Sequence, residues 1–155
     1  ERLYGVIYRQ AVSVGIGIID ALEIDRINIL QASLQAMAMA VNNLSPRPDY
    51  LLIDGTFPIP VPLPQEPIAK GDALSVSIAA ASIVAKVVRD RLMEEYHARF
   101  PEYNFLRNKG YATADHRRAI ARFGPCAIHR RTFKGVREFV DDASANPVPR
   151  QAMLW

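Results

Sequence analysis

The chain has 155 residues, half of them hydrophobic and 23% charged, with a formal net charge of +3. That is enough apolar content for one globular domain with a core, and nothing in the composition suggests a second. No run of eighteen or more apolar residues occurs and no basic start precedes an apolar stretch, which argues against a membrane span or a signal peptide and for a soluble chain. The single cysteine, Cys126, excludes an internal disulfide, and no Cys/His cluster has zinc spacing, which fits a reducing compartment such as the cytoplasm. Cys126 itself reads as a partly buried small side chain.

In chain order, "ERLYGVIYRQ" has helical spacing at Leu3, Val6 and Ile7 but no cap residue and no initiator Met, so the chain reads as entered in mid-element. "AVSVGIGIID" alternates small and β-branched residues and predicts a strand. Ile24, Ile27, Leu30, Leu34, Met37 and Val41 then follow the three-four spacing of one amphipathic helix, ended by Asn42, Asn43 and "SPRP". "DYLLIDG" predicts a buried strand whose carboxyl end meets a loop at Asp54 and Gly55. The proline-rich stretch from Phe57 to Pro67 predicts a loop, and "EPIAKGD" a short edge strand that tolerates Pro67. A long helix is expected from about Ser77 to Tyr96, stopped before Pro101. After a loop, a second helix is expected under a Thr113 cap and ended by Gly124, with another helical turn or two beyond "HRRTFKG". Residues 141–155 read as a loose tail. Strands alternating with helices predict an α/β layer architecture around a sheet.

Charge is unevenly spread. Residues 86–137 hold thirteen basic and five acidic side chains, whereas residues 1–85 hold five basic and eight acidic. A single-sign field of that size favours a phosphate-rich partner, although a solvated basic face would also account for it. Asp54 ends a predicted strand and Asp72 stands ahead of the long helix, where α/β sheets place ligand crevices. Two carboxylates converging there would suit Mg²⁺ or Mn²⁺; from spacing alone, a turn-opening Asp54 and a helix-capping Asp72 account for the pattern slightly better. Ser82, Lys86 and Asp90 recur at four-residue steps and so share one helix face, while Ile78, Ala81, Val84, Ala85, Val88 and Leu92 are expected to pack on a sheet.

"LLIDG", "KGDALSVSIAAASIVAKVVRDRLMEEYHARFPEYNF", "NKGYATADHRRAIARFGP" and "IHRRTF" resemble, in order and spacing, successive blocks of the bacterial type 2 ribonucleases H, and "EIDRINILQASLQAMAMAV" resembles the helix before the "LLIDG" strand. The resemblance covers residues from near 1 to about 140. It implies a ribonuclease H-like three-layer α/β fold with a central mixed sheet. It also implies hydrolysis of the RNA strand of RNA/DNA hybrids and incision 5′ of ribonucleotides embedded in duplex DNA, at four carboxylates that hold two divalent ions. Asp54 and Asp72 match the third and fourth carboxylates, and Asp90, with Lys86 and Ser82 beside it, falls in a supporting position. Tyr111 matches a tyrosine that stacks on the sugar after the ribonucleotide. Lys70, Lys109, Arg130 and Arg131 are expected to contact phosphates, and His129 to orient a loop. His97 and His116 read as surface helix residues.

The first two family carboxylates, an Asp-Glu pair followed by Gly-Arg-Gly, have no counterpart in these 155 residues. The resemblance therefore implies a domain over residues 1–140 that lacks its first strands, and a flexible tail over 141–155. Taken by itself, such a chain is expected to fold poorly and to be inactive, at most binding hybrid without cutting it. The expected partners are RNA/DNA hybrid and DNA containing single ribonucleotides, bound by a monomer away from membranes. A Ser/Lys or Ser/His hydrolase built on Ser82 is the rival reading; no glycine-rich nucleophile turn surrounds that serine.

Overall fold

The computed structural model describes residues 2–140, so the tail expected over 141–155 lies outside the described residues. The described residues fall into two compact units, divided between Leu92 and Met93.

In the first unit, α1 (Arg2–Gln10) forms where the spacing predicts a helix. The strand expected at 11–20 is absent: the segment runs extended without a ladder partner. The physical reason lies in α2 (Ala21–Ile27) and α3 (Ile29–Asn42). The extended segment presses its glycines onto the α3 backbone, where a Cβ on Gly15 would stand 2.0 Å from the Ala40 carbonyl oxygen and one on Gly17 1.9 Å from that of Ala36. Asn43 Nδ2 donates to Ile16 O at 2.8 Å, and Ser13 Oγ accepts from Ser45 N at 3.0 Å. Alternation here encodes packing on a helix of small residues.

The single helix expected through residues 21–42 is broken at Asn28. This residue adopts φ 71°, a left-handed value that asparagine tolerates. Its own N–H closes α2 on Ile24 O, and its side chain opens α3 by accepting from Gln31 N at 3.1 Å.

The strands β1 (Leu51–Asp54) and β2 (Gln65–Ile68) pair in parallel, with Asp54 opposite Ile68. The buried strand expected here is buried on one face: Leu51 and Ile53 point inward with Ile59, against Leu34, Met37 and Val41, while Leu52 is 41% exposed. Gln65 ties the proline-rich loop to this sheet. Its Oε1 accepts from Ile59 N at 2.8 Å, and its Nε2 donates to the Ile59 carbonyl at 3.1 Å.

The long helix α4 (Val76–Arg99) matches expectation in extent. Ile78 and Val84 are buried, but Ala81 and Ala85 are exposed and do not pack on a sheet as expected. A helix of 24 residues is about 36 Å long, far more than two four-residue strands can cover.

The second unit gathers Tyr103, Phe105, Ile120 and Val136 into a core, with Met93, Tyr96, Phe100 and Ile128 against it. A short helix, α5 (Phe105–Asn108), stands where a loop was expected, followed by α6 (Ala114–Phe123). Thr113 Oγ1 caps α6 by accepting from His116 N, and Gly124 closes it at φ 74°. The turn expected after "HRRTFKG" is a 3-10 helix at Arg137–Phe139. Among the described residues no helix is long and apolar enough to cross a membrane.

Candidate active site

Asp54 is the last residue of β1, and its carboxylate faces solvent. One oxygen, Oδ1, accepts the Gly71 N–H at 2.9 Å. That contact depends on the residues before and after it. Lys70 turns the chain with φ 57°, and Gly71 is buried where a Cβ would lie 2.5 Å from Ile78 Cδ1 and 3.5 Å from Asp54 Oδ1. Gly71–Ala73 then forms a 3-10 turn carrying an exposed Asp72. The order Lys-Gly-Asp thus has a local mechanism: the lysine bends, the glycine approaches, and the aspartate is delivered next to the amide that holds Asp54. Asp72 lies four residues ahead of Val76, so it does not cap α4.

Two exposed carboxylates offer hard oxygen ligands, and a Mg²⁺-like ion commonly takes one or two protein carboxylates with water and substrate oxygens completing its shell. The donors present fit such an ion. They do not form an all-protein cage, since among the described residues no group of three or more His, Cys, Asp or Glu side chains could hold a metal.

On α4, Lys86 Nζ pairs with the Asp90 carboxylate. Both are solvated enough that this is worth a few tenths of a kcal/mol. Ser82 Oγ donates to the carbonyl of Ala79 at 2.9 Å. A hydroxyl spent on its own helix backbone, with the nearby lysine held by Asp90, is the reverse of an activated nucleophile and disfavours the Ser82 hydrolase.

In the second unit, Tyr111 is 60% exposed on the loop before α6. Lys109, at φ 48°, reaches Glu94 at 3.0 Å. The Arg130 guanidinium lies over the Phe133 ring at 5.2 Å, and Arg131 is exposed. His116 is not a surface residue: it is 4% exposed and its Nε2 lies 2.9 Å from Nε2 of the buried His129. Its position was readable, because His116 and Ile120 are four apart on the inner face of α6. His97, the other histidine expected at the surface, is half-buried. His129 does hold a loop, accepting from Cys126 N at 3.0 Å.

Burial, and then the neighbouring His116, push His129 down to about 4, and burial lowers His116 as well. Burial pushes the Cys126 thiol up to about 11. Because the folded His129 value lies below the unfolded 6.5, its neutral form contributes fully above pH 6.5, and that contribution is lost as pH falls toward 4. The groups facing it are His116 from α6, the Cys126 thiol and the Tyr103 ring, none of which is anionic near neutrality. Thermal melts are expected to show a loss of roughly 2 kcal/mol by pH 5 from this histidine, removed in His129→Phe. A flat profile between pH 7 and 5 would contradict the burial of a neutral imidazole.

The described residues form a mostly helical α/β chain with a two-stranded parallel sheet, and two exposed aspartates stand at a strand end and on the turn before the long helix. The family model for ribonuclease HII matches residues 2–136. Ribonuclease HII of Syntrophotalea carbinolica is 57% identical over 140 residues, covering 90% of this chain and 67% of that protein. The enzymes of Syntrophus aciditrophicus and Geobacter metallireducens are each 59% identical, over 86% and 90% of this chain and 63% and 66% of theirs. The chain belongs to the ribonuclease HII family, and it spans about two thirds of the length of these relatives.

Proposed function

We propose that this chain carries part of the active site of a metal-dependent endonuclease that hydrolyses the RNA strand of RNA/DNA hybrids and incises 5′ of ribonucleotides embedded in duplex DNA. The observation that carries the reading is the Asp54 carboxylate fixed by the Gly71 amide, with Asp72 on the following residue. Asp54 and Asp72 would hold Mg²⁺ or Mn²⁺, which supplies activation of water and neutralisation of charge on the scissile phosphate. The protein's own part is positioning. The Gly71 N–H keeps one Asp54 oxygen in place, and Lys70 lies beside the pair to meet a phosphate. Lys109, Arg130 and Arg131 would take backbone phosphates, giving affinity without sequence preference. The exposed Tyr111 ring offers a flat surface for the sugar at an RNA-to-DNA junction, and Asp90, Lys86 and Ser82 support from α4.

The same reading takes residues 1–140 as a ribonuclease H-like three-layer domain in which further strands join β1 at the edge that β2 leaves open. It puts the protein, as a monomer, in the cytoplasm with its nucleic-acid substrate. One observation favours a second reading, a hybrid-binding remnant that does not cut: among the described residues no group of three or more His, Cys, Asp or Glu side chains could hold a metal. The test uses full-length protein and a labelled RNA/DNA hybrid. Cleavage in Mg²⁺ or Mn²⁺ that EDTA abolishes, leaving 5′-phosphate ends, is expected. Binding without cleavage in either metal would replace this reading with the remnant, and cleavage indifferent to EDTA would end the metal assignment.

A further inference from the structure

The buried histidine pair ends on the main chain of Tyr111. His116 Nδ1 lies 3.0 Å from the Tyr111 carbonyl oxygen, His116 Nε2 lies 2.9 Å from His129 Nε2, and His129 Nδ1 receives the Cys126 N–H at 3.0 Å. The Cys126 sulfur is also 3.0 Å from that Nδ1. These contacts admit one arrangement of protons for two neutral rings. An amide can only donate, so His129 Nδ1 is an acceptor and its proton sits on Nε2. That Nε2–H donates to His116 Nε2, which leaves the His116 proton on Nδ1, donating to Tyr111 O. A proton added to His116 would set two N–H groups against each other across 2.9 Å, and one added to His129 would set its Nδ1–H against the Cys126 amide across 3.0 Å.

The surroundings favour the neutral chain. The rings are 4% and 7% exposed, with Tyr103 packed 4.9 Å from His129 and Phe105 edge-on 5.4 Å from His116. The Tyr111 main chain is held from three directions: its N–H donates to Asn108 O at 2.8 Å, and its carbonyl accepts from Thr113 N at 2.8 Å as well as from His116. Tyr111 is nonetheless 60% exposed as a residue. An exposed residue whose backbone is fixed from inside has less backbone ordering left to do on binding.

We infer that His116 and His129 are positioning residues for substrate recognition: a neutral two-imidazole chain that fixes the Tyr111 main chain and thereby aims its ring. This rests on the reading of Tyr111 as the residue that meets the junction sugar. The readout is the ratio of cleavage of a single ribonucleotide in duplex DNA to cleavage of a continuous RNA/DNA hybrid, by full-length protein at a temperature where melts show each variant folded. His129→Phe is expected to lower that ratio about fivefold to tenfold, the worth of one lost hydrogen bond. If His129→Phe does not fold, His116→Gln takes its place. In the unaltered protein at pH 7.5, nitrogen-15 spectra are expected to show the proton on Nε2 of His129 and on Nδ1 of His116. An unchanged ratio, a charged ring or the opposite tautomers would each overturn the inference. Tyr111→Ala separates it from its premise: if that variant keeps the ratio, the role of Tyr111 fails, and if it lowers the ratio while the histidine variants do not, only the positioning role fails.

Discussion

Asp54→Asn and Asp72→Asn, each made alone in the full-length protein, are expected to lower the rate of hybrid cleavage at fixed Mg²⁺ by at least about a hundredfold, more than the loss of a group that merely supports a metal ligand. The substitution is nearly isosteric. At position 54 the amide oxygen can still accept the Gly71 N–H now bound at 2.9 Å, so the turn that carries Asp72 stays in place and the charge alone is removed. Both side chains are exposed, and their replacement is expected to shift stability by no more than about 0.5 kcal/mol. Activity and stability are thereby separated. A fall in activity accompanied by a matching fall in melting temperature would point to a structural role for the pair, whereas activity within twofold of the unaltered protein would remove Asp54 and Asp72 from the site.

Gly17→Ala is expected to be the most damaging single methyl in the first unit, costing about 3 kcal/mol or more in urea unfolding, at or beyond the upper end of ordinary overpacking. The added Cβ would stand 1.9 Å from the Ala36 carbonyl oxygen and 2.9 Å from Ala40 N, which are helix backbone atoms and cannot swing aside as a side chain would. Relief requires the extended segment to lift from α3, which also strains the Asn43 to Ile16 hydrogen bond. Gly15→Ala meets the Ala40 carbonyl at 2.0 Å and is expected to behave alike. Gly5→Ala is the control. Its Cβ finds only the Arg9 guanidinium at 3.5 Å, and inside α1 it is expected to be neutral or mildly stabilising. Equal effects at positions 5 and 17 would contradict the close approach of segment 11–20 to α3.

These cases also mark what could be read in the sequence. Helical spacing located α1, a run of small apolar residues stopped before Pro101 located α4, and Thr113 and Gly124 set the ends of α6 by local bonds. The same logic misassigned residues 11–20: alternation reports which side is covered, but not whether a strand or a helix covers it. Asn28 escaped notice because the apolar spacing continues across it, and only its φ of 71° divides α2 from α3. The long run of small apolar residues in α4 concealed the exposure of Ala81 and Ala85, since composition is silent on how much sheet is available.

The places of Asp54 and Asp72, at a strand end and ahead of a helix, were legible, whereas their proposed role as metal ligands comes from the resemblance and not from spacing. The part played by Gly71 was not legible, since it arises from a contact seventeen residues away in the chain. The histidine pair is a stronger case of the same limit. His116 and His129 sit in different local patterns, and their partnership exists only once the second unit has folded around Tyr103 and Phe105.

The most direct test of the acidic pair is a calorimetric titration of Mn²⁺ into full-length protein, repeated with Asp54→Asn and Asp72→Asn. Saturable binding is expected in the unaltered protein, weakening at least about tenfold in either variant, with both variants folded. Binding that is equally strong in all three proteins would place the metal elsewhere and contradict the assignment of Asp54 and Asp72.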